Sequence, residues 1–162
     1  MKADDLEIAY RKYYRSLFIY AFSLTQNKAD AEDLVSNAFV KALLSFESGH
    51  LKAWLYMVLK NEFYNTYKRK KKVIDDEMVL NHIEDPSDIL KDYVVQEQKR
   101  WLYQKICELP RKEREIMLLS IQSDFNDQMI AKMMNLSTEN IRTIRYRAKQ
   151  KLIKLCEKEK ML

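Results

Sequence analysis

The chain has 162 residues, a length that fits one domain or two small helical ones, and its single Gly and two Pro argue against an all-β fold rich in tight turns. The composition therefore predicts an all-α protein, and the net charge of +5 by itself implies no more than solubility. No stretch is long and apolar enough to span a bilayer, and the amino terminus lacks the pattern of a signal peptide, so we expect a cytoplasmic protein without direct membrane insertion.

Catalytic and metal-binding chemistry find little support in the sequence. Cys107 and Cys156 lie far apart without a CxxC pair, and neither His50 nor His82 has a neighbouring nucleophile or ligand set. The chain also lacks a Gly-rich phosphate loop. We therefore expect no catalytic residue, no metal and no cofactor, and a protein that is not an enzyme.

Three amphipathic helices are predicted in an amino-terminal domain, residues 1–72. Apolar spacing predicts the first helix over residues 5–25, and the second begins near Ala29 with a wide apolar strip. The third begins near Leu51, after the segment SFESGH at residues 45–50 breaks the pattern. We expect these helices to form one bundle whose inward-facing residues are Leu17, Ala21, Leu24, Leu34, Val35, Ala38, Phe39, Ala42, Leu43, Leu55, Val58, Leu59 and Phe63.

A strongly acidic segment separates two basic ones. The run KRKKK occupies residues 68–72, and residues 142–160 carry further Arg and Lys at close spacing. Between them, residues 73–95 show no sustained apolar stripe, and only Lys91 opposes their acids. This pattern predicts a solvated linker with at most short helical pieces. Its acidic residues are Asp75, Asp76, Glu77, Glu84, Asp85, Asp88 and Asp92.

Helical periodicity resumes near Gln96 and predicts a carboxy-terminal domain over residues 96–162. Pro110 is expected to end one helix and to start the next, because proline is tolerated in the first turn but not inside a helix. The apolar residues that would line these helices are Trp101, Leu102, Ile106, Leu109, Ile116, Leu118 and Leu119.

Two helices joined by a tight turn are predicted within residues 126–152. Asn126 and Ser137 are suitable N-caps for the two helices, and Asn135 can take the left-handed conformation that a sharp helix end requires. Small Ala131 permits a close crossing, so the pattern is that of a helix-turn-helix. The inward residues are expected to be Ile130, Ala131, Met134, Ile141, Ile144, Ala148 and Leu152, with Arg142, Arg145, Tyr146 and Lys149 on the opposite side.

The cations of the second of these helices point to DNA. Several cations on one helical face repel each other, and a polyanion relieves that repulsion by exchanging its condensed counterions for Lys and Arg. A helix also fits the major groove, where Arg can donate two hydrogen bonds to guanine. The alternative is that these cations merely form a solvated face.

Three quoted segments carry a family resemblance: LFIYAFSLTQNKADAEDLVSNAFVKAL, LKAWLYMVLKNEFYNTYKRKKK and LPRKEREIMLLSIQSDFNDQMIAKMMNLSTENIRTIRYRAKQKL. In this order, with an acidic linker before the third, they resemble bacterial sigma factors of the extracytoplasmic-function type from about Tyr13 to Leu155. The resemblance implies a protein that binds RNA polymerase core, directs it to a promoter and helps to open the duplex. The implied partners are the β′ clamp helices and β flap of core polymerase, promoter DNA and an anti-sigma factor.

The resemblance also assigns residues to three surfaces. The first segment would bind core polymerase, the second would recognise the minus-ten element and melt it, and the third would bind the minus-thirty-five element. The implied core-binding residues are Asp30, Asp33, Leu34, Asn37 and Phe39. The implied minus-ten residues are Phe46, Ser48 and His50, in a loop that would receive a flipped base, with Asn61, Tyr64, Asn65, Lys68 and Arg69. The implied minus-thirty-five residues are Thr138, Glu139, Arg142, Thr143, Arg145, Tyr146 and Lys149.

Several of these features have a plain structural alternative. The acids near the start of the second helix can simply favour the helix dipole, Leu34 can belong to the core, and Tyr64 can pack on a neighbouring helix. Trp54 is interpreted as core rather than as a platform for bases. The linker either stays extended in solvent or, by resemblance, threads the basic nucleic-acid channel of the polymerase.

The chain departs from the family pattern at four positions. Ser36 and Asn37 stand where the family usually has a Gln-Glu pair, and this difference affects the expected contact with core polymerase. Asp124 and Asn135 stand where the family often has Gly, and Asn tolerates a left-handed backbone more readily than Asp. Two rival functions are a stand-alone helix-turn-helix repressor, which would bind duplex tightly by itself, and a helical adaptor without nucleic-acid contact.

Overall fold

The computed structural model describes residues 1–73 and 83–159, except for the side chains of residues 67, 68 and 70–73. The described part has eight helices and no strand, which confirms the all-α prediction. It divides into two compact units, Met1–Ile89 and Leu90–Leu162. The helices are α1 (Ala3–Thr25), α2 (Lys28–Ser45), α3 (Leu51–Val73), α4 (Pro86–Leu90), α5 (Glu97–Glu108), α6 (Arg111–Ile121), α7 (Asp127–Met134) and α8 (Thr138–Lys158).

The amino-terminal unit is a bundle in which α1, α2 and α3 pack against one another. Aromatic rings fill its centre: Tyr20 and Tyr56 meet with ring centroids 5.0 Å apart, and Phe18 stacks on Phe22 at 6.1 Å. Burying such a side chain contributes about 1.5–3 kcal/mol. The predicted inward residues are buried, with two exceptions: Val58 is half-buried, and Leu43 lies at the surface.

The corner between α1 and α2 is closed by polar groups. Gln26 ends α1 in the left-handed region (φ 53°), and its N–H donates to the carbonyl of Phe22 at 2.8 Å. Asn27 then caps α2, because its Oδ1 accepts the N–H of Asp30 at 3.0 Å. The turn therefore needs no glycine.

Glu84, from the predicted linker, attaches to this same corner. Its N–H donates to the carbonyl of Gln26 at 2.8 Å, and its Oε1 accepts the N–H of Lys28 at 2.6 Å. The expectation of a solvated segment is therefore wrong for Glu84 and for the buried side chains of Ile89, Leu90 and Val94. The acids Asp75, Asp76 and Glu77 lie outside the described residues. The path of this segment through polymerase stays a prediction.

The carboxy-terminal unit packs α8 against α5, α6 and α7. The α5–α6 turn at Pro110 is held by buried Arg114, whose Nη1 donates to the carbonyl of Cys107 at 3.1 Å. Burial raises the pKa of the Cys107 thiol to about 11, so it behaves as an apolar filler. Of the predicted apolar residues, Trp101 and Leu102 are half-buried and the others are buried.

The helices within residues 1–73 and 83–159 are not membrane-spanning ones. None of the helices there combines the length and the apolar character that crossing a bilayer requires.

Candidate nucleic-acid interface

The helix-turn-helix geometry of α7 and α8 follows from three polar side chains. Asn126 Oδ1 accepts the N–H of Met129 at 2.9 Å, and Ser137 Oγ accepts the N–H of Asn140 at 3.1 Å, which confirms both predicted caps. Asn135 takes the predicted left-handed conformation (φ 54°). Asp124 is not in that region: apart from glycine, only Gln26 and Asn135 have positive φ among residues 1–73 and 83–159.

The buried side of this motif differs from the prediction at two residues, one on each helix. Met133 is buried on α7 and Met134 is only half-buried, because the short helix is rotated slightly from the predicted register. On α8, Ile141, Ala148 and Leu152 are buried as predicted, whereas Ile144 is half-buried. Ala131, the small residue predicted to permit a close crossing, is buried.

The outer face of α8 carries most of the residues assigned to the minus-thirty-five element. Arg142 and Tyr146 are about two-thirds exposed, at 61% and 65%, and Thr143 Oγ1 donates back to the carbonyl of Glu139 at 3.0 Å. This face therefore presents cations, a ring and hydroxyl groups on a rigid helix. Its exposed members are Glu139, Arg142, Thr143, Tyr146 and Lys149, and Thr138 is half-buried.

Arg145 does not share this exposure. Its side chain is only 20% exposed, and its Nη1 and Nη2 donate to Asp127 Oδ1 and Oδ2 at 2.7 and 3.1 Å. Nη1 also lies 3.3 Å from Ser120 Oγ, which accepts a further bond. The prediction that Arg145 faces solvent beside Arg142 is therefore wrong, because α7 and α6 supply acceptors that draw its guanidinium inward.

Asp127 binds Arg142 and Arg145, two of the three arginines of α8. In addition to the fork of Arg145, its Oδ2 accepts Nε of Arg142 at 3.0 Å. Asp127 is the first residue of α7, where the helix dipole also favours negative charge. The hydrogen bonds from Arg145 and then Arg142 lower the pKa of Asp127 to about 2. The sequence shows an acid in the first turn of α7 but does not reveal its arginine partners, which lie 15 and 18 positions further along the chain.

A titration should detect this ion-pair cluster directly. Because the pKa of Asp127 is lower in the folded state than its ordinary 3.8, the cluster stabilises the fold above about pH 4 and loses that contribution as the pH falls through about 2. Carbon-13 NMR of the Asp127 carboxyl should give a midpoint near pH 2. In Arg145→Ala the midpoint should rise, whereas Glu157→Gln, at an exposed site near the end of α8, should leave it unchanged. A wild-type midpoint near 3.8 would contradict the geometry.

The α3 residues predicted to recognise the minus-ten element lie on one side of the helix. Asn61, Asn65 and Arg69 are exposed, and the side chain of Lys68 lies outside the described part. Tyr64 is half-buried, with its ring edge-on to Phe63 at 5.3 Å and Lys60 Nζ 5.9 Å from its centroid. This face therefore presents two exposed amides beside a tyrosine ring that is held by its packing neighbours.

The loop before α3 has a structural role in addition to the predicted one. His50 Nδ1 accepts the N–H of Ala53 at 3.1 Å and so caps α3, and the half-buried ring of Phe46 meets Trp54 edge-on at 5.5 Å. Ser48 is exposed. Gly49 has φ 109° and no atom within 4 Å of where a Cβ would stand, so backbone conformation rather than space requires glycine there.

The surface of α2 differs from the one predicted to bind core polymerase. Leu34 and Phe39 are buried in the bundle, so their assignment to the surface is wrong. The exposed side of the helix instead carries Asp33 and Asn37, with Asp30 half-buried nearer its start. The apolar residues on that side, which were not among the predicted site residues, are Val40, 53% exposed, and Leu44, 77% exposed.

Asn37 is held toward α3. Its Nδ2 donates to Glu62 Oε1 at 2.9 Å, and the other oxygen of Glu62 lies 3.2 Å from Lys41 Nζ. This bridge between α2 and α3 explains how Asn37, a departure from the family pattern, is accommodated here.

Known proteins resemble both halves of the chain. The family model "Sigma-70 region 2" matches residues 9–73, and "Sigma-70, region 4" matches residues 99–152. The ECF RNA polymerase sigma factor SigM of Bacillus subtilis is 28% identical over 94% of this chain and 93% of its own length. The RNA polymerase sigma factor SigV of the same organism is 30% identical, covering 79% of this chain and 76% of itself.

A solved structure shows the same architecture. The sigma factor RpoE from Bartonella quintana, crystallised in complex with the anti-sigma factor NepR, superposes with a TM-score of 0.72 at 27% sequence identity. The match covers 96% of this chain and 98% of that one.

Proposed function

The chain belongs to the sigma-70 family of RNA polymerase sigma factors, in its extracytoplasmic-function group, and from this membership we propose how its surfaces divide the work. As a sigma factor it binds RNA polymerase core and directs transcription initiation at promoters. The observation that carries the proposal for DNA is the capped α8 with its exposed cationic face.

We assign the minus-thirty-five element to the predicted carboxy-terminal domain, residues 96–162, which lies within the carboxy-terminal unit. Helix α8 has the length and exposure of a recognition helix, and the major groove admits one helix of this kind. Arg142 would donate to a base edge, Tyr146 would contact a base or sugar, and Lys149 would contact phosphate. Thr138, Glu139 and Thr143 complete the surface nearest the start of the helix. The β flap is proposed as the polymerase partner of this unit on the strength of family membership.

We assign the minus-ten element to α3 and the loop before it, within residues 1–72. Exposed Asn61 and Asn65 can pair with the edges of unstacked bases, the ring of Tyr64 can stack on one, and Arg69 can hold phosphate. Lys68 is included from the sequence alone. Phe46, Ser48 and His50 would shape the site for a flipped base, with His50 fixing the start of α3.

We assign the β′ clamp helices to the exposed side of α2. Acidic Asp33 and half-buried Asp30 would meet cations of the clamp, while Val40 and Leu44 would supply apolar burial. Asn37 lies between these groups and keeps its orientation through Glu62.

We further propose an anti-sigma factor as a regulatory partner, because the RpoE relative was crystallised with one. The place of work would be the cytoplasm, where polymerase and promoters are found. The chain would act by binding alone, and the chemistry of transcription would remain with the polymerase.

Transcription in vitro with core polymerase and a promoter library tests the proposal. Core polymerase plus this chain should start transcripts from a defined subset of promoters, and the chain without core should bind the same duplexes weakly. Tight, sequence-specific binding by the isolated chain would instead favour the repressor, and association with the main partner that is nearly independent of salt would favour the adaptor.

Changing Asn61 and Asn65 together to Ala should impair promoter opening. Each amide that pairs with a melted base contributes about 1 kcal/mol, so the double variant should open promoters roughly thirtyfold less well. Permanganate footprinting of the holoenzyme measures opening, and co-purification should show unchanged core binding. Gln98→Ala removes an exposed amide from the other unit and should have no effect. A footprint that survives the double change would remove these residues from the site.

A further inference from the structure

Arg142 and Arg145, the two α8 arginines that bind Asp127, differ in how many hydrogen-bond donors remain free for a ligand. Both donor nitrogens at the end of Arg145 are bonded to Asp127, and the side chain is 20% exposed. Arg142 donates only Nε to Asp127 and is 61% exposed. Within residues 1–73 and 83–159, its two Nη groups have no protein partner. Of these two arginines, only Arg142 can offer a new ligand both Nη donors without first breaking a bond to Asp127.

We propose that Asp127 is a specificity-determining residue of the DNA-binding surface, because it holds Nε of Arg142 and leaves the two Nη groups as a preset fork for a guanine. The inference rests on the proposed minus-thirty-five function and identifies the residue that positions its reader. Guanine is the matching base, since its O6 and N7 accept two parallel bonds from one guanidinium. Asp127 itself touches no base and acts through Arg142.

The charges of the cluster favour this role. A lone carboxylate on a DNA-binding surface would repel phosphate, but the bidentate bond from Arg145 leaves Asp127 neutralised whatever Arg142 does. Arg142 keeps its bond to Asp127 while pairing end-on with guanine. To contact a phosphate in another direction, Arg142 would have to break its bond to Asp127. The cluster therefore disfavours phosphate contacts, which carry no sequence information.

Holding Arg142 also lowers the cost of binding. A long, exposed side chain loses rotamer freedom when it docks on a base, and a guanidinium already held at Nε has less freedom to lose. A base that cannot accept two hydrogen bonds does not gain this reduction in entropy cost, because the guanidinium of Arg142 cannot turn toward it without breaking its bond to Asp127. Discrimination therefore depends on both residues together.

The test uses holoenzyme assembled from core polymerase and the full chain, with templates randomised over the upstream element. Wild type should prefer guanine at one position, and Asp127→Asn and Arg142→Ala should each reduce that preference about fivefold to tenfold at the same position. The double variant should be no worse than Arg142→Ala, since the two residues act through one contact. Glu157→Gln, which removes one negative charge elsewhere on α8, should keep the wild-type profile.

Other outcomes separate this inference from the proposed function. Asp127→Asn with an unchanged base profile, or losses that fall at different positions or add in the double variant, would overturn the role of Asp127 while leaving the proposed function standing. A wild type without any base preference in the upstream element would overturn both. If Asp127→Asn does not fold, Asp127→Glu replaces it: the charge stays for Arg145, the acceptor for Nε of Arg142 moves, and the same loss is expected.

Discussion

Replacing Val40 and Leu44 together with Asp should lower the affinity of the chain for core polymerase by on the order of a hundredfold or more. Both side chains are exposed in the free protein, so the change removes apolar surface that binding would bury and adds two charges that binding would have to desolvate. Because neither side chain belongs to the bundle core, the fold should be unaffected. Titration of core polymerase with fluorescently labelled chain measures the affinity.

The matched control is Ile8→Asp, which places the same charge at an exposed apolar site, 66% exposed, on α1. It should leave the affinity close to wild type. Asp33→Lys on the α2 surface should weaken association less and in a salt-dependent way, because it reverses an exposed charge without changing apolar burial. Undiminished association of the double variant would show that core polymerase uses another face of the chain.

Replacing Arg145 with Ala should lower the free energy of unfolding of the carboxy-terminal unit by about 1.5–3 kcal/mol, the usual contribution of hydrogen bonds to a charged group. The change removes two bonds to Asp127 and one to Ser120, and leaves Asp127 with a single partner. The free energy can be read from hydrogen exchange of the backbone amides in α8, which avoids mixing the unfolding of the two units.

Arg142→Ala is the control for this effect. Its single bond to Asp127 is largely exposed to solvent, so the loss of stability should stay below about 1 kcal/mol. Arg145→Ala should therefore reduce the free energy of unfolding more than Arg142→Ala does. Arg142→Ala should reduce the base preference more than Arg145→Ala does. Equal losses of stability would contradict the structure, in which Arg145 and Arg142 differ in their bonds to Asp127 and in their exposure to solvent.

Local features of the sequence determined the helices and their ends. Asn126 and Ser137 were identified as caps because their side chains reach the N–H groups of the next turn, and Asn135 because it tolerates a left-handed backbone. Pro110 marked a helix boundary for a similarly local reason. Such interactions join residues a few positions apart, so they depend on sequence order and not on packing.

Helix faces were less well determined. On α2 the predicted inward strip included Leu43, and the structure instead leaves Leu43 at the surface with Val40 and Leu44. The physical reason is that periodicity fixes the relative angle of residues on a helix but not the rotation of the helix against its neighbours. The shift from Met134 to Met133 on α7 has the same origin.

By itself, the sequence determined the family, the all-α class, the helix caps and the exposed cationic face of α8. Only the tertiary structure decided that Arg145 turns inward while Arg142 stays exposed, because Asp127 and Arg145 are 18 positions apart and meet through the crossing of α7 and α8. It likewise decided that Glu84 binds the α1–α2 corner, 56 positions from Lys28. Contacts at such separations are set by how helices pack, and packing depends on every side chain at the crossing.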